Sequence, residues 1–214
     1  MKKIIIFGSG DHSKAILAEI IKNKNSFKMI GFYDENKKKN EEIIKIKSKV
    51  YKNIYKSIDI NSKSLHGIIG IGDNNLRKQI FKRTYNINKN FKWATVISTN
   101  SIINSQVRVG KGTFIGSNCF VNINSKIGDH CIINSSSSLD HDNQIHNFAS
   151  IGPGTISGGN VIIGESTHIG IGTVIRNNIN IGRNILVGGG SYVNKDLKSH
   201  SLYYGVPVKK KLNK

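Results

Sequence analysis

From Ile97 onward, every sixth residue of this chain is a branched aliphatic. The anchors are Ile97, Ile103, Val109, Ile115, Val121, Ile127, Ile133, Leu139, Ile145, Ile151, Ser157, Ile163, Ile169, Ile175, Ile181, Val187 and Val193. Sixteen of these seventeen are Ile, Val or Leu; Ser157 is the exception, and the count never slips frame. Glycine often follows the anchor, as at Gly110, Gly116, Gly128, Gly152, Gly164, Gly170, Gly182 and Gly188. Four places after the anchors runs a mostly small or β-branched series that includes Thr113, Cys119, Ser125, Cys131, Ser137, Asn143, Ala149 and Thr155. A period of six suits neither a helix, which repeats every 3.6 residues, nor one unbroken strand. It suits short strands joined by tight turns, with one large and one small side chain per hexapeptide pointing into a narrow interior. Three hexapeptides close one triangular coil, and stacked coils bury one another's apolar rows.

The rest of the composition narrows the setting. A length of 214 residues allows one large or two small domains. No apolar run approaches the 18 residues of a membrane span. The opening "MKKIIIFGSG" has too short an apolar run, Ile4 to Phe7, for a signal peptide. The two cysteines, Cys119 and Cys131, both fall in the small-residue series and read as packed interior residues in a reducing, cytoplasmic protein. The net charge of +19 comes from lysine spread along the chain. No basic stripe interleaved with aromatics accompanies it, so no nucleic-acid partner is expected, and attraction of anionic substrates is the simpler consequence.

Before the repeat lies a β-α-β pattern. Residues 2–7 read as a buried strand, "GSGDHS" as a glycine turn, and the following residues to about Lys24 as a helix. "FKMIGFYDE" and "GIIGIGDNN" read as further parallel strands, with "LRKQIFKRTY" a helix after the last. This order predicts a Rossmann-like half domain with a ligand at the carboxyl ends of the strands. Gly8 and Gly10 permit a phosphate to approach the helix N-terminus. Three readings stay open: a nucleotide-sugar, NAD, or a glycine turn with no ligand. NAD is disfavoured because Ser13 stands where GxGxxG has its third glycine, and about 90 residues hold only one mononucleotide-binding half. The domains expected are 1–90 (Rossmann-like), 91–195 (β-helix) and 196–214 (basic tail).

The motifs "FGSGDHSKA", "FYDE", "IGDNNLRKQI", "NSSSSLDHD", "GGNVIIG" and "YYGVPVKKK", in this order, resemble the hexapeptide-repeat acetyltransferases that modify sialic acids and UDP-linked amino-dideoxy sugars, the bacillosamine-pathway enzymes among them. The resemblance implies a left-handed parallel β-helix, a homotrimer with active sites between neighbouring β-helices, and acetyl-CoA as co-substrate without a metal. It also implies nucleotide-sugar contacts at Gly8, Gly10, His12, Asp34, Asp73 and Asn74, with Asn134 near the acceptor sugar or, equally, capping a turn. Asp11 departs from the glycine of many relatives and sets a carboxylate near the expected diphosphate. Acetyl-CoA is expected along the later coils, at Gly159, Gly170 and Gly189, where a bulge is read after Ser157, and at Pro207 and Lys209 in the tail. Turn glycines without a ligand role remain the competing reading. Ser150 stands where many relatives carry a histidine that binds the acetyl carbonyl.

Acetyl transfer from a thioester needs a base, an oxyanion donor and a groove for coenzyme A. His141, two residues after the anchor Leu139, projects from the coil and is the expected base. Asp142 is the first choice to orient it and Asp140 the alternative, whereas His130, His146 and His168 read as surface turn residues. The function expected is N-acetylation of a UDP-linked amino-dideoxy sugar for surface glycans. O-acetylation of sialic acid and a non-catalytic nucleotide-sugar-binding scaffold are the alternatives.

Overall fold

The computed structural model describes residues 1–23 and 26–211. The chain divides into two units, 1–99 and 100–214, so the boundary lies beyond the one expected near residue 90. The short strand Val96–Ile97, at the first anchor, falls on the near side of the division.

In the first unit β1 (Lys2–Phe7) leads into α1 (Asp11–Lys22) and returns through β2 (Phe27–Tyr33). A hairpin, β3 (Glu42–Ile46) and β4 (Lys49–Lys52), precedes β5 (Leu65–Ile69), α2 (Asn74–Ile87) and β6 (Lys92–Trp93). The parallel sheet has the order β2-β1-β5-β6. Ile4, Ile5 and Ile6 are all fully buried, as a strand covered on both faces requires. Helix α1 turns Ser13, Ile16, Leu17 and Ile20 inward, the spacing of a single helical stripe. Helix α1 ends at Lys22, and the expected end at Lys24 lies outside the described residues. The third strand begins at Leu65 and stops at Ile69, so of the expected 67–75 stretch only 67–69 is strand, 70–73 is loop and 74–75 already opens α2.

The close approach of helix to sheet explains the missing third glycine. A Cβ on Gly70 would sit 2.6 Å from the Cβ of buried Ser13. The strand side supplies the glycine, and a small serine suffices on the helix. The β3–β4 hairpin and β6 carried no sequence signal strong enough to be expected.

The second unit is a three-sided parallel β-helix of two-residue strands. One face runs from Ile102–Ile103 through Ser138–Leu139 and Ile156–Ser157 to Tyr192–Val193. The second runs from Arg108–Val109 through Gln144–Ile145 to Asn180–Ile181. The third runs from Phe114–Ile115 through Ser150–Ile151 to Leu202–Tyr204, where Lys209–Lys210 pairs back antiparallel. Lys209 is therefore part of a strand, and the tail through Lys211 is no frayed end; residues 212–214 lie outside the described residues.

The anchors point inward, and those from Ile115 to Val193 are buried. Hydroxyls of the small series stitch coil to coil. Thr113 donates to the Gly128 carbonyl and accepts the Cys131 N–H, at 2.8 and 3.0 Å. Both cysteines are buried, and burial pushes the Cys119 thiol up, as for a packed interior residue. No bulge follows Ser157: Gly158 continues the ladder to Ile175, and the next strand arrives on count at Ile162–Ile163. Among the described residues no helix is long and apolar enough to cross a membrane.

Fully buried Ile163 tests this packing. Ile163→Val is expected to cost about 0.5–1.5 kcal/mol and Ile163→Ala about 2–5 kcal/mol in denaturant unfolding, because a narrow coil cannot collapse around the void.

Candidate active site

The turn 140–143 leaves the first face just after Leu139. His141 and Asp142 stand on its outside, with side chains 46% and 41% exposed, and His141 Nδ1 lies 2.7 Å from Asp142 Oδ2. Asp142 has φ 58°, a left-handed conformation that Asp and Asn adopt more readily than most residues. Its carboxyl is held below the usual range, chiefly by the His141 hydrogen bond and also by Asn124. The same contact raises the imidazole above its ordinary 6.5, with smaller help from the charge of Asp140.

Asp140 does different work. Its Oδ1 accepts the Asn122 side chain and the His141 backbone N–H, each at 2.8 Å. Asn104, Asn122 and Asp140 thus form a ladder across three coils, which ends under the His141 turn. Asp140 is kept ionised by those bonds but does not meet the imidazole ring.

Gly159 lies beneath the imidazole on the next coil. A Cβ there would sit 2.5 Å from both Cε1 and Nε2 of His141. Only a residue without a side chain leaves the ring where it is, and the Gly159 N–H makes no hydrogen bond among the described residues. Beside the turn, the second face carries an open groove of about 710 Å³ lined by Arg108, Asn124, Lys126, Asp142, Gln144 and Asn160 among others.

Gly170 and Gly189 have a packing role instead. A Cβ on Gly170 would meet the Gly189 backbone N at 2.5 Å, and one on Gly189 would meet Ile171 at 2.9 Å. Ser150 is buried on the third face, away from the 140–143 turn in the coil. Asn134 caps its own turn by accepting the Ser135 N–H at 2.9 Å. Pro207 is exposed, next to the antiparallel strand pair that holds Lys209. His130 is not a surface residue: it is buried and stacked on Phe148, centroids 5.2 Å apart. His168 sits in a strand, half-buried, and only His146 is an exposed turn residue.

The first unit has its own cavity, about 310 Å³, at the carboxyl ends of β1, β2 and β5. Gly8, Gly10, His12 and Asp34 line it, as do Ser9, Asp11, Glu35 and Ile71. Gly8 needs its glycine, since φ is 88° and a Cβ would strike Ile71. Gly10 has the N-cap position of α1 with nothing near its missing side chain, which leaves the helix N–H groups approachable. Asp34 accepts the Ser9 hydroxyl at 2.6 Å. His12 is pushed down to about 4 by burial and by the nearby Arg77 charge, and is neutral at pH 7. Asp11 pairs with Lys14 at 2.9 Å and is fully solvated, which softens the repulsion its carboxylate raised. Asp73 and Asn74 are committed elsewhere: Asp73 caps α2 through the Leu76 N–H, and Asn74 accepts buried Arg77.

Residues 3–84 match the PglD N-terminal domain family. No curated protein matches the chain by sequence. Among solved structures, PerB from Caulobacter crescentus in complex with CoA and GDP-perosamine superposes with a TM-score of 0.84 at 24% identity, covering 99% of this chain and 98% of that one. The acetyltransferase domain of PglB from Neisseria gonorrhoeae in complex with acetyl coenzyme A gives 0.86 at 23% identity, over 98% and 99%. WeeI from Acinetobacter baumannii gives 0.85 at 20% identity, over 99% and 100%. The chain shares their fold. It combines an N-terminal α/β half domain with a left-handed parallel β-helix, the fold that the motifs implied. The motif resemblance holds over the N-terminal family match and, for the fold, over nearly the whole chain.

The seat beneath the imidazole gives a direct test. Gly159→Ala is expected to fold normally yet displace the ring from Asp142, so that the His141 titration followed by NMR falls back toward 6.5.

Proposed function

We propose that the protein transfers the acetyl group of acetyl-CoA to the amino group of a nucleotide-linked amino-dideoxy sugar, UDP-linked in the first instance, for surface-glycan synthesis. The observation that carries this reading is the exposed His141–Asp142 pair, fixed over a glycine and beside an open groove. The α/β unit, with its glycine-lined cavity, serves as the nucleotide-sugar site, and the β-helix carries the chemistry. PerB with CoA and GDP-perosamine, and PglB with acetyl coenzyme A, favour amino-sugar acetylation over O-acetylation or passive binding. A cytoplasmic reaction belongs to the same proposal, since both proposed substrates are metabolites of that compartment.

The geometry supports a direct transfer. Nδ1 of His141 donates to Asp142, leaving Nε2 as the acceptor. The sugar amine attacks the thioester carbonyl carbon, the C–N bond forms, and Nε2 takes the proton released from nitrogen. The free Gly159 N–H, next to the ring, is suited to stabilise the developing oxyanion. The C–S bond then breaks, and the imidazolium returns its proton to the departing thiolate. No covalent enzyme intermediate is required.

Thiol release from acetyl-CoA in the presence of UDP- and GDP-linked amino sugars and sialic acid tests the reading. Turnover is expected only with a nucleotide-linked amino sugar, and none with any acceptor would sink it. His141→Ala is expected to lower kcat by about 10²–10⁴. Because the imidazole must be neutral and Asp142 raises it, kcat/KM should climb on the acid side through a midpoint above 6.5. Asp142→Asn should move that midpoint down.

A homotrimer belongs to the same proposal. The first face presents an outward row in which Ile102, Ile156 and Val174 are 60%, 51% and 42% exposed, with Phe120 and Tyr192 half-buried between and beyond them. Isolated apolar side chains are ordinary on a surface, but a row of five interrupted only by Ser138, beside the His141 turn, favours burial against another copy. Sedimentation is expected to give three times the monomer mass, and Ile156→Asp with Val174→Asp to give the monomer.

A further inference from the structure

Two departures from the repeat meet beneath the His141 turn. Ser157 is the one anchor that is not aliphatic, and Asn143 is the one carboxamide in the small-residue series. Both are buried, and Asn143 Nδ2 lies 2.8 Å from the Ser157 hydroxyl. The same amide group donates to the Asp140 carbonyl at 2.9 Å, and Oδ1 accepts the Val161 N–H at 2.7 Å. The Asp140 carbonyl also accepts Ser125 from the preceding coil at 3.0 Å. At three other corners a serine or threonine hydroxyl makes the turn-closing bond, Ser137 to Asn134, Thr173 to Gly170 and Ser191 to Gly188.

We propose that Asn143, seated on Ser157, is a positioning residue for His141, holding the Asp140–His141 peptide from inside and locking it to the coil corner that carries Gly159. The inference rests on the reading of His141 as the base, since it concerns how that side chain is aimed. The connection is short in the chain. Asp140 immediately precedes His141, and Val161 closes the turn that begins at Gly158 and contains the glycine under the imidazole. One carboxamide therefore fixes both walls of the reacting geometry. Among the described residues the exposed imidazole ring has one hydrogen-bond partner, Asp142, and one seat, Gly159, so its aim depends on the backbone beneath it.

Burial makes such a tie effective. In a dry interior an amide that satisfies three partners is strongly directional, and one that loses them pays the full desolvation cost. The compensation is local as well. Serine at position 157 vacates the volume that the longer Asn143 side chain fills. An aliphatic anchor with a small partner would give the same packing without the polar tie.

That alternative supplies the experiment. Asn143→Ser places at this corner the residue type already buried at positions 125 and 137, and it can still accept the Val161 N–H. The double variant Asn143→Ala with Ser157→Leu restores the aliphatic pattern and refills the interior. Melting temperature, His141 titration by NMR and steady-state kinetics are measured on the full-length variants. The charged groups near the imidazole are Asp140 and Asp142 on its own turn, with Lys126 and Arg108 lining the groove beside Asp142; the adjoining turns 122–124 and 158–160 carry none.

Both variants are expected to melt near the native temperature. Both should titrate His141 closer to 6.5 and lose about 10- to 100-fold in kcat with little change in either KM, the signature of a misaimed group. Native kcat and native His141 titration in an equally stable Asn143→Ser protein would overturn the proposal and leave the pair a packing feature. If the double variant fails to fold, Asn143→Ser alone decides. If the native protein transfers no acetyl group, the functional reading fails, and the NMR titration still reports whether Asn143 positions the ring.

Discussion

Each hexapeptide anchor of the second unit rests on the anchor of the coil before it, eighteen residues back, as in the pairings Ile133 with Ile151 and Leu139 with Ser157. That stacking fixes everything else in the unit. A coil with one large and one small inward residue per side has no slack, so the register of any turn is set by the coils around it. Backbone ladders and interior hydroxyls then satisfy the polar groups that the short strands expose inside. The result is a rigid rod whose corners can hold side chains in fixed relation without long supporting loops.

The His141 turn uses that rigidity rather than adding to it. Asp142 takes a left-handed conformation that recurs in the same row, at Asn124, Asn160 and Asn178. Asp140 ends an asparagine ladder, and Gly159 removes the one atom that would collide with His141. Each feature is a single-residue choice on a repeating frame. The two aspartates next to His141 are separated by role through geometry alone: one caps the backbone, the other meets the ring.

The repeat was legible because periodic burial leaves a periodic sequence, and it passes through "SSSSLDHDNQIHNF" without a break. His141 was legible as an outward residue from its place two after an anchor. Gly159 was read as a coenzyme contact, because a glycine in a turn does not reveal which neighbour its missing side chain would strike. His130 was read as exposed, since nothing near it in sequence announces that Phe148, on the next coil, covers it. Asp73 and Asn74 look like ligand contacts in the sequence, whereas the structure shows a local role for each, Asp73 capping α2 and Asn74 accepting from Arg77. In the first unit the strand-turn-helix order was readable, whereas the β3–β4 hairpin, too short and too charged to show a clear alternation, was not.

The sequence by itself determined the six-residue coil, the α/β half domain before it and the outward placement of His141, because each is a consequence of spacing along the chain. The tertiary structure alone decided which aspartate meets the imidazole and why Gly159 is glycine. It also revealed that Asn143 and Ser157, two isolated exceptions to a pattern, touch. Those relations join residues one coil apart, or depend on the direction a backbone turn gives to a side chain. Neither distance nor direction is written in a linear period.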